Sequence, residues 1–257
     1  MLTPAFTGPV PGSFGRGKNH PIPGFRPAQG TAQLADDGWL TVGSYADGQP
    51  ARWMLTDAGR ARHALIVGTT SSGATTLLRQ VLDAAQAAGA DTQAIDTESG
   101  GLGPGVHPAA CNLTAARAVL AENLAILHTR LTEQGGDPRA PWPALRVLAI
   151  DGLHRLTPDR RFTDALATLV RLAPKAGIAV LASTEDPRLS ACGGEISRTQ
   201  LAAHTLVLLR TGSSHDTRLL GVDAAPVPAC FADGTNTVGV GYLPRQRPCI
   251  PFRAWMP

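Results

Sequence analysis

The chain has 257 residues, 43% of them apolar and 17% charged, with a net charge of +3. It is therefore long and apolar enough to bury a sizeable core, and neither its charge nor its composition suits a disordered or strongly basic chain. No apolar run approaches the ~20 residues of a spanning helix, and the opening MLTPAFTGPVPG has neither a basic nor an apolar leader region, so a cytoplasmic protein without a membrane segment is expected.

Residues 1–35 are dense in Pro and Gly and read as a flexible arm. Residues 39–44 and 51–55 read as two strands joined through Ala46, Asp47 and Gly48, a hairpin signal. Residues 64–67 form a short apolar strand that runs into a turn of Gly, Ser and Thr. Beyond it Leu77, Leu78, Val81, Leu82 and Ala85 recur at the 3.6 period of a helix, with Gly89 placed to cap its end.

A second strand is expected at 92–95, ending at Asp96, followed by a Gly-rich surface loop at 99–105. Thr114 is placed to cap a helix with Leu120, Leu124, Leu127 and Leu131 on one face, stopped at Gly135 and Gly136. After a Pro-rich connection at 138–143, residues 145–150 make a continuous apolar strand ending in Asp151, the pattern of a strand buried on both faces.

A helix with Leu166, Leu169, Val170 and Ala173 on one face follows. A fourth strand is expected at 178–182, with Ser183, Thr184, Glu185 and Asp186 at its carboxyl end. Residues 206–209 supply a fifth, and 238–243 are expected to close the sheet as an edge strand. Strands alternating with helices predict an α/β fold with a mostly parallel sheet covered on both faces and preceded by a β-hairpin. The expected boundaries are an arm over 1–35, one domain over 36–245 and a C-terminal tail over 246–257.

The turn between the first parallel strand and its helix has the build of a phosphate-binding loop. Small residues let the backbone fold around an anion, and the unpaired N–H groups of the helix start point at it. Gly68, Thr69, Thr70, Ser71, Ser72, Gly73, Ala74, Thr75 and Thr76 fit G-x-x-x-x-G-K-[ST], except that Ala74 stands where lysine belongs. Taken alone, the pattern is shared by ordinary strand-to-helix turns. Ligands in parallel sheets sit outside the carboxyl ends of the strands, which would bring Asp151 beside the loop.

Elsewhere the chemistry-bearing residues form no constellation. Cys111, Cys192, Cys230 and Cys249 make no C-x-x-C pair, and are read as reduced thiols. His63, His154, His204 and His215 share no ligand spacing, and no G-x-S-x-G nucleophile turn is present. Only Lys18 and Lys175 are lysines, so none lies near the loop in sequence.

With these motifs in order, the chain resembles the motor domain of the FtsK/SpoIIIE/HerA group of P-loop ATPases, including TraB-type plasmid-transfer proteins. The likeness runs through the DGQP turn at 47–50, HALIVGTTSSGATTLLRQVL at 63–82, VLAIDGLHRL at 147–156 and LVRLAPKAGIAVLASTEDP at 169–187. It continues through LVLLRTGSSHDTRLLG at 206–221 and FADGTNTVGVGYLP at 231–244. The resemblance implies a RecA/FtsK-like P-loop NTPase fold, ATP held by residues 68–76, Mg²⁺ held by Thr75 and Asp151, and Ser183 and Thr184 at the sensor position.

It also implies DNA as a partner and assembly with FtsK/HerA-like subunits. Two departures bear on the chemistry: Ala74 replaces the loop lysine, and Gly152 replaces the glutamate after the metal-site aspartate. No catalytic residue is assigned. Losing a general base costs ~10²–10⁴ in rate, so three readings stay open: an ATP-binding domain weak in hydrolysis, an active DNA translocase with an unorthodox site, and a scaffold that binds no nucleotide.

Overall fold

The computed structural model describes residues 30–97, 102, 108–134, 144–222 and 224–255. Residues 1–29 of the expected arm over 1–35, most of the Gly-rich loop at 99–105, the Gly135-Gly136 stop and the connection at 138–143 lie outside them. In chain order, β1 (Gln33–Leu34) precedes the hairpin of β2 (Trp39–Tyr45) and β3 (Pro50–Met54), where Gly48 takes a left-handed φ of 83°. A small ribbon of β4 (Thr56–Asp57) and β5 (Arg60–Ala61) follows.

The alternating part runs β6 (Ala64–Val67), α1 (Ala74–Ala87), β7 (Asp91–Asp96), β8 (Pro108–Ala110), α2 (Leu113–Glu133) and β9 (Arg146–Asp151). It continues with α3 (Arg160–Leu172), β10 (Ile178–Thr184), α4 (Glu195–Ala202) and β11 (Thr205–Leu208). A short α5 (Ser214–Leu219) then leads to β12 (Val240–Leu243) and β13 (Arg247–Ala254).

One sheet holds eleven strands in the order β1-β2-β13-β12-β11-β6-β10-β9-β7-β8, with β3 on the other side of β2. The strands from β11 to β8 are mutually parallel, and those from β1 to β12 extend the sheet with antiparallel pairings. In β6, flanked by β10 and β11, all four residues are buried because both faces are covered: Ala64 and Ile66 join one core, Leu65 and Val67 the other.

On the first face lie α1, through Leu77, Leu78, Val81, Leu82 and Ala85, and the side chains of the β2–β3 hairpin. The opposite face carries α2, α3 and α4, with Leu120, Leu127, Leu166, Leu169, Val170 and Leu201 buried. Each aliphatic side chain so buried contributes roughly 1.5–3 kcal/mol, and those contributions fix both helical layers against the same strands.

Several expectations change. Residues 240–243 are not an edge, because β13 pairs with both β12 and β2 and encloses them. The stretch expected as a C-terminal tail is thus part of the sheet. Pro248 and Pro251 break its alternating pattern in sequence, while Phe252 is fully buried, edge-on to Tyr45 at a centroid distance of 6.4 Å. At the other end of the chain, Gln33 and Leu34, expected within the arm, pair with Thr41 and Leu40.

The N-cap of α2 is Asn112, whose side chain accepts from the Ala115 N–H at 2.9 Å, and not Thr114. Gly89 does follow α1 in the left-handed region, at φ 84°. Among the described residues, no helix is long and apolar enough to cross a membrane.

Candidate functional site

The register of the parallel strands brings the predicted residues together. Thr184 and Leu208 both pair with Val67, the last residue of β6; Ile150 pairs with Ala182, and Asp96 with Asp151. Every polar residue at a carboxyl end therefore emerges at the same level, beside the loop that leaves β6.

That loop is shaped by its two glycines. A Cβ on Gly68 would run into Ser72 Oγ, and Gly73 takes φ 96°, ψ 10°, where a side chain is disfavoured. Ser71 also lies in the left-handed region, at φ 60°, a conformation costing a non-glycine residue on the order of 1–3 kcal/mol and one that clusters at binding sites. Helix α1 then starts at Ala74 with no side-chain cap and no acidic residue in its first turn. Its leading N–H groups stay open toward the cleft, where the helix dipole favours an anion.

The cleft has a volume of about 280 Å³ and is lined by residues 68–76 together with Asp151, Gly152, His154, Ser183, Thr184, Glu185 and Val238. All nine predicted nucleotide-binding residues thus face one cavity. At its floor Thr75 Oγ1 donates to Asp151 Oδ2 at 2.8 Å, and Ser183 Oγ donates to Asp151 Oδ1. The Gly152 N–H donates in turn to Ser183 Oγ at 3.0 Å.

Asp151 is 2% exposed. Burial raises its carboxyl above the usual range and the nearby Asp96 charge adds to that, while bonds from Ser183, Thr75 and the Gly152 N–H pull it down. Of the two sensor candidates, Ser183 reaches Asp151. Thr184 instead turns its hydroxyl to the backbone of Asp186, donating to the carbonyl at 3.1 Å and accepting from the N–H at 3.2 Å.

Two flanking residues carry contacts that the sequence reading did not assign: Arg210, which it did not single out, and Glu185, named there only among the polar residues that end the fourth strand. Arg210, two past the end of β11, donates from Nε to Thr69 Oγ1 at 3.2 Å and from Nη2 to the Thr70 carbonyl at 2.6 Å. Its own carbonyl accepts from the Thr69 N–H at 2.8 Å. Glu185, on the other side, accepts from Thr70 Oγ1 at 2.6 Å. The signal for Arg210 was available: it is the first polar residue beyond an apolar parallel strand, the same logic that singled out Asp151.

Gly152 differs from a glutamate in more than its side chain. Its backbone is left-handed, at φ 73° and ψ 43°, and it opens a one-turn 3₁₀ helix at Leu153–Arg155. Of the histidines, His63 is fully buried and satisfied, with Nε2 at 2.9 Å from the Val170 carbonyl and Nδ1 accepting from the Val180 N–H at 2.8 Å. Burial lowers it to about 4, so it is a neutral structural group.

The residues present fit a nucleotide and its metal. The uncapped helix start and the Gly68 and Gly73 positions make an anion cradle, and the oxygens of Thr75 and Asp151 are the hard donors that Mg²⁺ takes. Among the described residues no cluster of three His, Cys, Asp or Glu side chains forms another metal site.

No family model matches the sequence, and no curated protein matches it. Solved structures do match in fold. The cytoplasmic domain of the type VII secretion ATPase EccC from Thermomonospora curvata superimposes with a TM-score of 0.65 at 20% identity, covering 91% of this chain and 30% of that one. The conjugation coupling protein TcpA of pCW3, in its monomer form with ATPγS, gives 0.62 at 17% identity over 88% and 70%. The cytoplasmic domain of EssC gives 0.62 at 18% identity over 94% and 48%. The chain therefore spans less than a third of the EccC structure and about half of EssC. At these identities the likeness concerns fold, and with the loop, the strand order and the Asp151 strand already described, the chain has the FtsK/SpoIIIE-type P-loop ATPase fold.

Proposed function

We propose that this chain is a Mg²⁺-dependent ATP-binding domain, weak or inactive in hydrolysis, that serves as a subunit or regulator in DNA transfer or a related secretion assembly. The observation that carries it is the Thr75–Asp151 pair at the floor of a cleft whose rim is the uncapped start of α1. Loop amides and hydroxyls would hold the phosphates, and Thr75 with Asp151 would hold the metal. When bound, Mg²⁺ neutralises phosphate charge.

Losing the lysine costs a charge-assisted contact of about 1.5–3 kcal/mol, a weakening that a shaped cleft can survive. Hydrolysis is harder to sustain, because the position of the lost general base is a left-handed glycine and nothing here assigns a replacement. The likeness to a coupling protein solved with ATPγS and to a type VII secretion ATPase supports the assembly context, with DNA and FtsK/HerA-like subunits as the proposed partners.

Titration of the full chain with mant-ATP, with and without Mg²⁺, tests the reading: saturable, Mg²⁺-dependent binding is expected, with phosphate release near background. No binding at millimolar nucleotide removes it. The Thr70–Glu185 bond at the cleft mouth favours a second reading, a scaffold that binds partners but no nucleotide. Co-purification with an intact ATPase subunit, combined with absent mant-ATP binding, separates the two.

A further inference from the structure

With Ala74 in the lysine position, the phosphate loop has no cation of its own, and among the described residues lining the cleft there is no lysine or arginine. One guanidinium nevertheless stands against the loop. Arg210 follows β11, the strand beside β6, where Leu208 is in register with Val67. Two residues further along both chains the ladder continues, because the Thr69 N–H donates to the Arg210 carbonyl at 2.8 Å. The Arg210 side chain then turns back onto the loop, with Nε donating to Thr69 Oγ1 at 3.2 Å and Nη2 to the Thr70 carbonyl at 2.6 Å.

Thr69 and Thr70 both line the cleft. The charge is therefore held at the cleft wall by two side-chain bonds and by strand register, and not at the end of a loose side chain. It is also unanswered. Arg62, Arg117, Arg146 and Arg247 each pair with a carboxylate, and Arg79, one turn into α1, lies 3.7 Å from Asp83. Arg210 is half-buried, both oxygens it meets are neutral, and among the described residues no carboxylate pairs with it.

A guanidinium carries five N–H donors in a planar fork that suits phosphate oxygens. Arg210 spends Nε and one Nη2 proton on the loop, while Nη1 donates to no described residue. A phosphate can thus be met without breaking either contact. A bond of this kind, with charge on both partners, is about twice as strong as a neutral one.

We propose that Arg210 is the cation this site offers to nucleotide phosphate, supplied by the strand beside the loop in place of the lysine that Ala74 replaces. This rests on the nucleotide reading given above. The same side chain then does two things: it braces the empty loop through Thr69 and Thr70, and its remaining donors and permanent charge hold the anion.

Charge and bracing separate in the dissociation constant of Mg²⁺·mant-ATP for the full chain, Arg210→Gln and Arg210→Lys, each checked by its circular-dichroism melt. Arg210→Gln, which keeps an N–H donor without the charge, is expected to bind about tenfold more weakly. Arg210→Lys, which keeps the charge without the fork, is expected to stay within about threefold of the wild type. Equal losses in the two variants mean that the side chain acts only as a brace and overturn the proposal, as does wild-type affinity in Arg210→Gln.

A double-mutant cycle with Ala74→Lys asks whether Arg210 stands in for the lysine. With a lysine in the loop, Arg210→Gln is expected to cost less than about threefold, because the two cations serve the same phosphates. A cost undiminished from about tenfold overturns the proposal. A crystal structure of the wild-type chain with Mg²⁺·ATPγS needs no variant: an Arg210 Nη within about 3.2 Å of a phosphate oxygen is expected, and a guanidinium that meets none overturns it. If the wild type binds no nucleotide at millimolar concentration, the nucleotide reading itself fails and this inference falls with it, whereas wild-type binding that is indifferent to Arg210 removes this inference alone.

Discussion

Thr75 Oγ1 and Asp151 Oδ2 lie 2.8 Å apart, joining the first turn of α1 to the end of β9 across 76 positions of sequence. The pair sets two hard oxygens side by side in the cleft, held by their own hydrogen bond. Asp151 is buried with its carboxyl raised above the ordinary range, so folding favours its neutral form. That contribution is present at low pH and lost as pH rises through the folded value, leaving the charge as a cost at pH 7.

Asp151→Asn is therefore expected to melt at a higher temperature than the wild type at pH 7 while losing the Mg²⁺ dependence of mant-ATP binding. Thr75→Ala is expected to lose the same dependence, with affinity falling about tenfold. Melting curves and titrations with and without Mg²⁺ check both. Unchanged Mg²⁺ dependence in either variant contradicts the assignment.

Ala74 and Gly152 are separable departures. Ala74→Lys restores a cation in a cleft lined by two carboxylates, and a gain in nucleotide affinity of roughly 10- to 150-fold is expected. Gly152→Glu places a side chain at φ 73°, at a cost on the order of 1–2 kcal/mol. Gly152→Ala should lower the melting temperature similarly, which distinguishes backbone strain from any effect of the carboxylate. Hydrolysis by the double variant is expected to stay far below that of an intact P-loop ATPase.

Arg210 ties the loop to β11 through two side-chain bonds and one backbone bond. The bond to the Thr70 carbonyl fixes the backbone of the loop before any ligand arrives. Arg210→Ala is expected to weaken mant-ATP binding about tenfold and to speed hydrogen exchange at residues 69–72, with little change at β10. Faster exchange without weaker binding means the brace is structural only.

The buried His63 predicts an acid-sensitive fold. Its folded value of about 4 lies below the ordinary 6.5, so the unfolded chain binds a proton that the folded chain excludes. Stability is fully present above pH 6.5 and falls as pH drops toward 4, by about 3 kcal/mol over that window. Denaturant midpoints at pH 7.0 and 4.5 measure it, and His63→Gln is expected to flatten the slope.

Much of this was legible from local pattern. The apolar run before Asp151, the 3.6-period face of α1 and the Gly68–Gly73 spacing follow from which residues can be buried on both sides of a strand and which can turn around an anion. These features are local in sequence, and so five of the six parallel strands could be read without coordinates, while the three-residue β8 could not. Registers that join distant strands were not accessible in this way. Prolines at 248 and 251 concealed β13, which pairs with β12 on one side and with the distant β2 on the other. The sequence by itself determined an α/β chain whose first strand and helix are joined by a turn of small residues, with Ala74 after its second glycine. Only the tertiary structure decided that Thr75 meets Asp151, that Glu185 and His154 line the cleft, and that Arg210 braces its loop, because each relationship is set by the order and stagger of strands far apart in the chain.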